Sequence, residues 1–198
     1  MTRLATSFVL GYHGCKREIG ERVLNGRDQL NKSEKDYDWL GSGVYFWESD
    51  PRRALEWAQK YKEPYVIGAV IELGNCLDLT NREDLDILKV AYEGWVKFLR
   101  ADGREIPKNQ DVKNDTHGDK LLRKLDCAVV NYLHKICQDP SQNTLKLEPY
   151  DTVRGLFPES KELYSGSGFK EKTHTQIAVC NMKSVKGFFI PRPYPKLK

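Results

Sequence analysis

Two glycine-flanked stretches constrain this chain more than anything else in it. One is Gly11-Tyr12-His13-Gly14 and the other is Gly41-Ser42-Gly43-Val44-Tyr45-Phe46, with Tyr45 32 residues after His13. Each has the composition of a short β-strand, and Ser7-Phe8-Val9-Leu10 extends the first backwards. Each sets a polar ring beside glycines. A strand glycine exposes its backbone, so a ligand can approach atoms that a side chain would cover.

Around these stretches the chain divides into three zones. Residues 1–80 alternate strands with one or two helices. The segment from Cys15 to Asn25 spaces Ile19, Val23 and Leu24 for one helical face, Gly26 ends it, and a charged loop runs from Arg27 to Asp38. Asp50 is placed to cap a helix that has Pro51 in its first position. Pro64 to Leu73 reads as a buried strand. In residues 82–138, Thr80-Asn81-Arg82-Glu83 has the form of a capping box. The helix it opens carries Leu85, Leu88, Tyr92, Trp95, Phe98 and Leu99 as its apolar face. A polar loop from Ala101 to Gly118 leads to a second helix running from Leu121 to Ile136. Residues 149–195 return to strands at Tyr150 to Phe157, His174 to Asn181 and Val185 to Ile190. The tail from Pro191 to Lys198, with three prolines, is expected over the surface.

Composition narrows the class. The 198 residues suit one domain, residues 1–198, large enough for a real core. Five cysteines (Cys15, Cys76, Cys127, Cys137, Cys180) form no Cys-x-x-Cys pair and have no metal-type spacing. Met1-Thr2-Arg3-Leu4-Ala5 lacks the apolar run of a signal peptide. No stretch approaches the roughly 18 apolar residues of a membrane span. The expectation is a reducing, cytoplasmic location and no membrane partner. A net charge of +4 permits an anionic partner without requiring one.

The paired motifs resemble the dinucleotide pocket of the ADP-ribosyltransferase superfamily, in its diphtheria-toxin and poly(ADP-ribose) polymerase branch. That branch carries a His-Gly at the end of its first strand and Gly-x-Gly-(Ile/Val)-Tyr-Phe on a later one. The resemblance covers the first 60 residues and roughly 145–190. It implies an α+β fold with a split β-sheet, an NAD cleft and helices inserted at about 82–138. By resemblance, His13 bonds the adenosine ribose, the Gly14 backbone grips the nicotinamide carboxamide, and Tyr45 stacks on the nicotinamide ring, with Ser42 and Gly43 beside it. A second aromatic often closes a sandwich. Here Glu56 stands at the spacing where polymerase members have a tyrosine, and Trp57 follows it. Trp57 in the pocket and Trp57 in the core both stand.

The third family position is a glutamate on a late strand, and here it aligns with Gln176. An amide can hold a ribose hydroxyl but carries no full negative charge to stabilise a cationic sugar. This departure argues against polymer formation more than against transfer of single units. Glu171 and Glu159, on the preceding loop, are substitute carboxylates or ordinary solvated ones. Tyr164 and Phe169, on the glycine-serine loop before Gln176, suit acceptor recognition or a plain hairpin. That loop has no phosphate-loop pattern. Arg154 is a candidate for the pyrophosphate or a surface strand arginine. His174 shares the strand face of Gln176. His117 and His134 read as lacking partners.

The implied activity is mono-ADP-ribosyl transfer from NAD to a macromolecular acceptor, protein or nucleic acid, with nicotinamide released and no metal required. Small stand-alone members resemble bacterial toxins or defence effectors, which adds a neutralising antitoxin as an implied partner. The alternatives are an NAD glycohydrolase and a non-catalytic NAD or ADP-ribose-binding module.

Overall fold

Strand β3 (Pro64–Glu72) organises the molecule, because Tyr65, Val66, Ile67, Gly68 and Ala69 are buried in succession. Such a run requires cover on both faces of a sheet. The computed structural model describes residues 8–113, 117–144 and 146–197. Within them β3 lies in a seven-stranded mixed sheet with β1 (Phe8–Lys16), β2 (Val44–Glu48), β4 (Cys76–Asp78), β5 (Thr152–Phe157), β6 (His174–Val179) and β7 (Val185–Phe189). The strand order is β4-β5-β6-β2-β1-β3-β7. Neighbours are antiparallel except the parallel β4–β5 pair. Four helices complete an α+β architecture: α1 (Arg17–Leu24), α2 (Pro51–Ala58), α3 (Arg82–Ala101) and α4 (Lys124–Gln138).

One sheet face packs under α1 and the following loop, with Phe46, Ile67, Ile71 and Ile177 fully buried. Burying each such side chain stabilises by about 1.5–3 kcal/mol. The other face has two separate covers. Helix α2 lays Ala54 and Leu55 against Trp47 and Val66. Helices α3 and α4 lay Ala91, Val130 and Leu133 against Leu77, Val153 and Ala178.

Local signals explain most element starts. The Asp50 carboxylate accepts from Arg53 N–H at 2.9 Å and Pro51 opens α2, as expected. At α3 the expected capping box is displaced. Asn81 Oδ1 accepts from Asp84 N–H at 2.9 Å, while the Thr80 hydroxyl turns back to Asp78 at 2.6 Å. The expected apolar face is met in part, with Leu99 buried and Leu88 packed against the core. Ala91, Val96 and Leu99 are buried, but Leu85, Tyr92 and Phe98 are exposed. The next helix begins at Lys124, three residues later than its apolar pattern suggested, because Leu122 pairs with Gln110 in an isolated bridge. The proline-rich tail does lie along the sheet, anchored by Tyr194 Oη, which accepts from Val66 N–H at 2.8 Å. Strand β4 was not anticipated. It is only three residues long and gives too little pattern to read.

Candidate functional site

The sheet is continuous, but it is joined most weakly where the two sequence motifs meet. Strand β1 pairs with β3 over nine positions and with β2 at only two, Gly11–Glu48 and Tyr12–Trp47. Past Tyr12 the two strands leave a gap. Backbone direction decides what faces it. Ser49 N–H donates to Leu10 O at 2.9 Å, so the even-numbered residues of β1 turn their amides and carbonyls toward β2. Val66, opposite Gly14, sends its own N–H the other way, to Tyr194. The Gly14 N–H and C=O therefore point into the gap rather than into the β1–β3 ladder. Gly14 is obligatory here, since a Cβ would sit 2.1 Å from Ala54 O on α2.

His13 spans the gap on the opposite sheet face. Its ring lies 5.7 Å from the Phe46 ring, and its Nδ1 is 2.8 Å from Tyr45 O. A carbonyl only accepts, so Nδ1 carries the hydrogen and donates. Burial, with a smaller contribution from nearby Lys60, pushes the imidazole below its ordinary pKa and favours the neutral form. Nε2 is then a bare lone pair with no partner among the described residues, ready to accept from a hydroxyl.

Tyr45 lies half-buried on the Gly14 face. Its hydroxyl donates to Gly41 O at 2.9 Å and accepts from Leu40 N–H at 3.0 Å. Burial raises this phenol well above its usual pKa, so it stays neutral. The turn it grips requires glycine, because Gly41 has φ +77° and a Cβ there would meet Asn131 Oδ1 at 2.8 Å. Asn131, on α4, accepts from Ser42 N–H at 2.9 Å. Gly43 exchanges both backbone hydrogen bonds with Ser33, at 2.8 and 3.1 Å. The amides of Ser42 and Gly43, expected beside a ligand, are thus engaged in holding the turn. The helical zone that sequence alone left without a role buttresses this turn through α4.

Gln176 shares the Tyr45 face, opposite Trp47 and Gly155 in the ladders. Trp39 Nε1–H donates to Gln176 Oε1 at 2.6 Å. That bond fixes the amide orientation and leaves its NH₂ without an acceptor among the described residues. Gly155 makes room for the Trp39 ring, which a Cβ would meet at 2.6 Å. Trp57 is 45% exposed and sits 5.8 Å from the Trp47 ring rather than against Tyr45. His174 is a packed residue, stacked on Phe157 with its Nδ1 bonded to Lys172 O at 2.7 Å.

The remaining candidates have structural partners. Glu159 pairs with Arg53 at 2.7 Å and Glu171 with Lys161 at 3.4 Å. Arg154, on the face opposite Gln176, is held by Glu48 at 2.6 Å and Asp78 at 3.1 Å. The loop before β6 exposes Tyr164 and Phe169 (61% and 68%) at its tip. Its base is tied to Asp119, which accepts from Ser160 N–H and pairs with Lys170. His117 lines a concavity against that loop with Ser160, Lys161 and Lys170. His134 is not alone as expected. Its Nε2 is 3.7 Å from Cys180 Sγ, and its ring meets Tyr150 edge-on. Burial lowers His134 to about 4 and raises Cys180 to about 11, so the two form a neutral pair rather than a reactive thiolate–imidazolium.

Trp39, Trp47 and Asn131 escaped sequence reading. Trp39 and Trp47 bracket the Gly-Ser-Gly stretch, a signal available in the sequence. Asn131 is one polar residue within an apolar helix and gives no such signal. Among the described residues no cluster of three or more His, Cys, Asp or Glu side chains is placed to hold a metal ion. No described helix is long and apolar enough to cross a membrane.

No family model matches this chain, and no solved structure matches it. It is similar to an uncharacterized protein of Methanocaldococcus jannaschii, 27% identical over an alignment of 195 positions that covers 85% of this chain and 79% of the relative.

Proposed function

We propose that this chain is an NAD-dependent mono-ADP-ribosyltransferase with a dinucleotide cleft where β1 and β2 part beyond Tyr12. It transfers one ADP-ribose to a macromolecular acceptor, protein or nucleic acid, and releases nicotinamide. The observation that carries this reading is the Gly14 backbone turned into the gap between His13 and Tyr45. A carboxamide offers one N–H donor edge and one carbonyl acceptor, which complement a backbone C=O and N–H presented together. The Tyr45 ring supplies a flat face for the nicotinamide. His13 Nε2 accepts from a hydroxyl of the adenosine ribose. The free Gln176 NH₂ donates to a hydroxyl oxygen of the nicotinamide ribose.

In this mechanism the bond from ribose C1′ to nicotinamide breaks, and its electron pair leaves with the ring nitrogen. The sugar becomes cation-like, and a nucleophile on the acceptor bonds to C1′ and loses its proton. The cleft orients the reacting groups. Gln176 contributes positioning and little charge, which fits single transfers rather than chain growth. The proposed setting is the cytoplasm, with a neutralising antitoxin as a proposed partner.

The Trp39–Gln176 bond favours a second reading. With Oε1 tethered to Trp39 and no carboxylate at this position, Gln176 brings no full negative charge to a cationic ribose, which suits a module that binds NAD or ADP-ribose without cleaving it. Purified protein incubated with NAD labelled in either half, with and without cell lysate, separates these readings. Transfer predicts free nicotinamide and adenylate label on a macromolecule removed by protease or nuclease. Nicotinamide release without transferred label indicates a glycohydrolase, binding without release indicates a reader, and no binding overturns the reading of the cleft.

A further inference from the structure

Lys16 and Lys60 meet at the Tyr61 ring beyond the end of β1, and Lys35 lies near enough to act on Lys60 through its charge. Among the described residues no salt bridge to a carboxylate holds any of the three. Lys16 follows Gly14 at the end of β1, Lys35 lies two residues past the Ser33 bridge, and Lys60 follows α2. The lysine ion pairs among the described residues belong to other lysines, at 124, 161, 170 and 186. Asp38, near Lys35, instead accepts from the Lys35 backbone N–H at 2.8 Å. Rings hold the lysine heads in place. Lys60 Nζ lies 3.7 Å from the centre of the Trp57 ring and 5.1 Å from that of Tyr61. Lys35 Nζ lies 5.5 Å from the Tyr37 ring, and Lys16 Nζ lies 6.0 Å from that of Tyr61.

Lys16 and Lys60 share the Tyr61 ring, and like charges so placed repel one another, an interaction whose sign an anion between them reverses. The repulsion is felt at Lys60, whereas Lys35 is held above its ordinary pKa, chiefly by a hydrogen bond to Tyr37 and to a lesser degree by the charge of Asp38. Burial first, and then the charge of Lys35, hold the Lys60 ammonium below its ordinary pKa, and Lys60 in turn disfavours protonation of His13. The cationic cluster therefore adjoins the histidine that faces the gap. Arg154, the sequence-level candidate for this task, is committed to Glu48 and Asp78 on another part of the sheet.

We propose that Lys35 and Lys60, with Lys16 at the rim, form an oxyanion subsite that holds the diphosphate of a nucleotide whose ribose reaches His13. This rests on the dinucleotide reading of the cleft. The ammonium groups pair with the phosphate oxygens, and Trp57 carries Lys60 on its face and reports on the subsite.

Calorimetric titration of the full chain with ADP-ribose, adenosine, inorganic pyrophosphate and a single-stranded oligonucleotide tests the proposal. It is run on the wild type and on Lys35→Gln, Lys60→Gln and the double variant. ADP-ribose should lose at least tenfold in affinity in the double variant, adenosine should bind both proteins equally, and rising salt should weaken ADP-ribose alone. Pyrophosphate should quench or shift Trp57 fluorescence in the wild type and not in Lys60→Gln. Equal ADP-ribose affinity in wild type and double variant overturns the subsite, as does lysine-dependent binding of the oligonucleotide without binding of ADP-ribose. Lysine-dependent ADP-ribose binding with no nicotinamide release from NAD keeps the subsite and removes the transferase reading. Nicotinamide release with lysine-independent affinity does the reverse.

Discussion

Trp39 and Gln176, 137 residues apart in the chain, are joined by a 2.6 Å hydrogen bond from the indole N–H to the amide oxygen. This bond decides what Gln176 can contribute, because it orients the amide, engages one of the two lone pairs on Oε1 and leaves the NH₂ as a donor. In the proposed mechanism the amide holds the ribose in place, and the rest of the cleft drives bond breaking.

Gln176→Ala should therefore reduce nicotinamide release about tenfold or more while NAD affinity changes little. A loss confined to turnover marks an interaction that strengthens in the transition state, with about 1.4 kcal/mol for each factor of ten. Gln176→Glu should accept from Trp39 through one oxygen and present the other to the ribose, and so maintain or raise the rate. Single-turnover measurements that leave both variants at the wild-type rate would make Gln176 a strand residue held by Trp39 and nothing more.

His13→Ala should weaken NAD binding by roughly 1–3 kcal/mol, the cost of one lost hydrogen bond in a partly buried site. Nδ1 also supports Tyr45 O, so His13→Asn is the second variant. Its amide can still donate to that carbonyl and cannot reproduce the Nε2 acceptor. If His13→Asn binds NAD as the wild type does, the imidazole lies outside the ligand's reach.

The titration of the histidines gives a stability prediction with a definite sign. Burial pushes His13, His134 and His174 down, His134 to about 4. Below the unfolded-state value of about 6.5 the unfolded chain binds protons that the native state refuses. Their contribution is complete above that pH and is lost as the pH falls from about 6.5 toward 4. Urea denaturation across this window should show falling stability, and His134→Phe should flatten part of the slope. A slope unchanged in His134→Phe would show that His134 titrates normally.

The parts of the fold legible in the sequence are those set by local chemistry. Asp50-Pro51 names a helix start because a cap and a fixed φ act within one turn. The run from Tyr65 to Ala69 names a central strand because burial on both faces needs unbroken apolarity. The α3 face was read in part: Leu88 and Leu99 pack as their spacing implies, whereas Leu85, Tyr92 and Phe98 share that spacing but stay exposed, and packing with Val130 and Leu133 of α4 buries Ala91. At the site, His13, Gly14 and Tyr45 come together as their motifs imply. The Trp39–Gln176 and Asn131–Ser42 bonds join residues 137 and 89 positions apart, and no local pattern encodes such pairs.

Tyr45 separates its two roles cleanly. Tyr45→Phe keeps the ring but leaves the Leu40 N–H and Gly41 O without the hydroxyl between them. It should cost about 1–3 kcal/mol of stability and retain most NAD affinity. Tyr45→Ala should lose both. Thermal unfolding with parallel NAD titration checks this, and equal NAD affinity in Phe and Ala variants would remove the ring from the ligand's path.

Asn131 tests whether the helical zone shapes the site from behind. Its Oδ1 accepts the Ser42 N–H, and its side chain touches the space that Gly41 leaves open. Asn131→Ala strands that partly buried amide and should lower stability by about 1–3 kcal/mol. It should also loosen the Gly41–Gly43 turn that holds the Tyr45 hydroxyl, so the KM for NAD should rise with little change in kcat. Asn131→Asp retains the acceptor and should recover much of the turn, although it gives up the Nδ2 contact to Cys127 Sγ at 3.4 Å. A merely structural role would lower stability in Asn131→Ala and leave KM untouched. If KM rises in Asn131→Ala and returns toward wild type in Asn131→Asp, α4 sets the position of Tyr45 in the cleft.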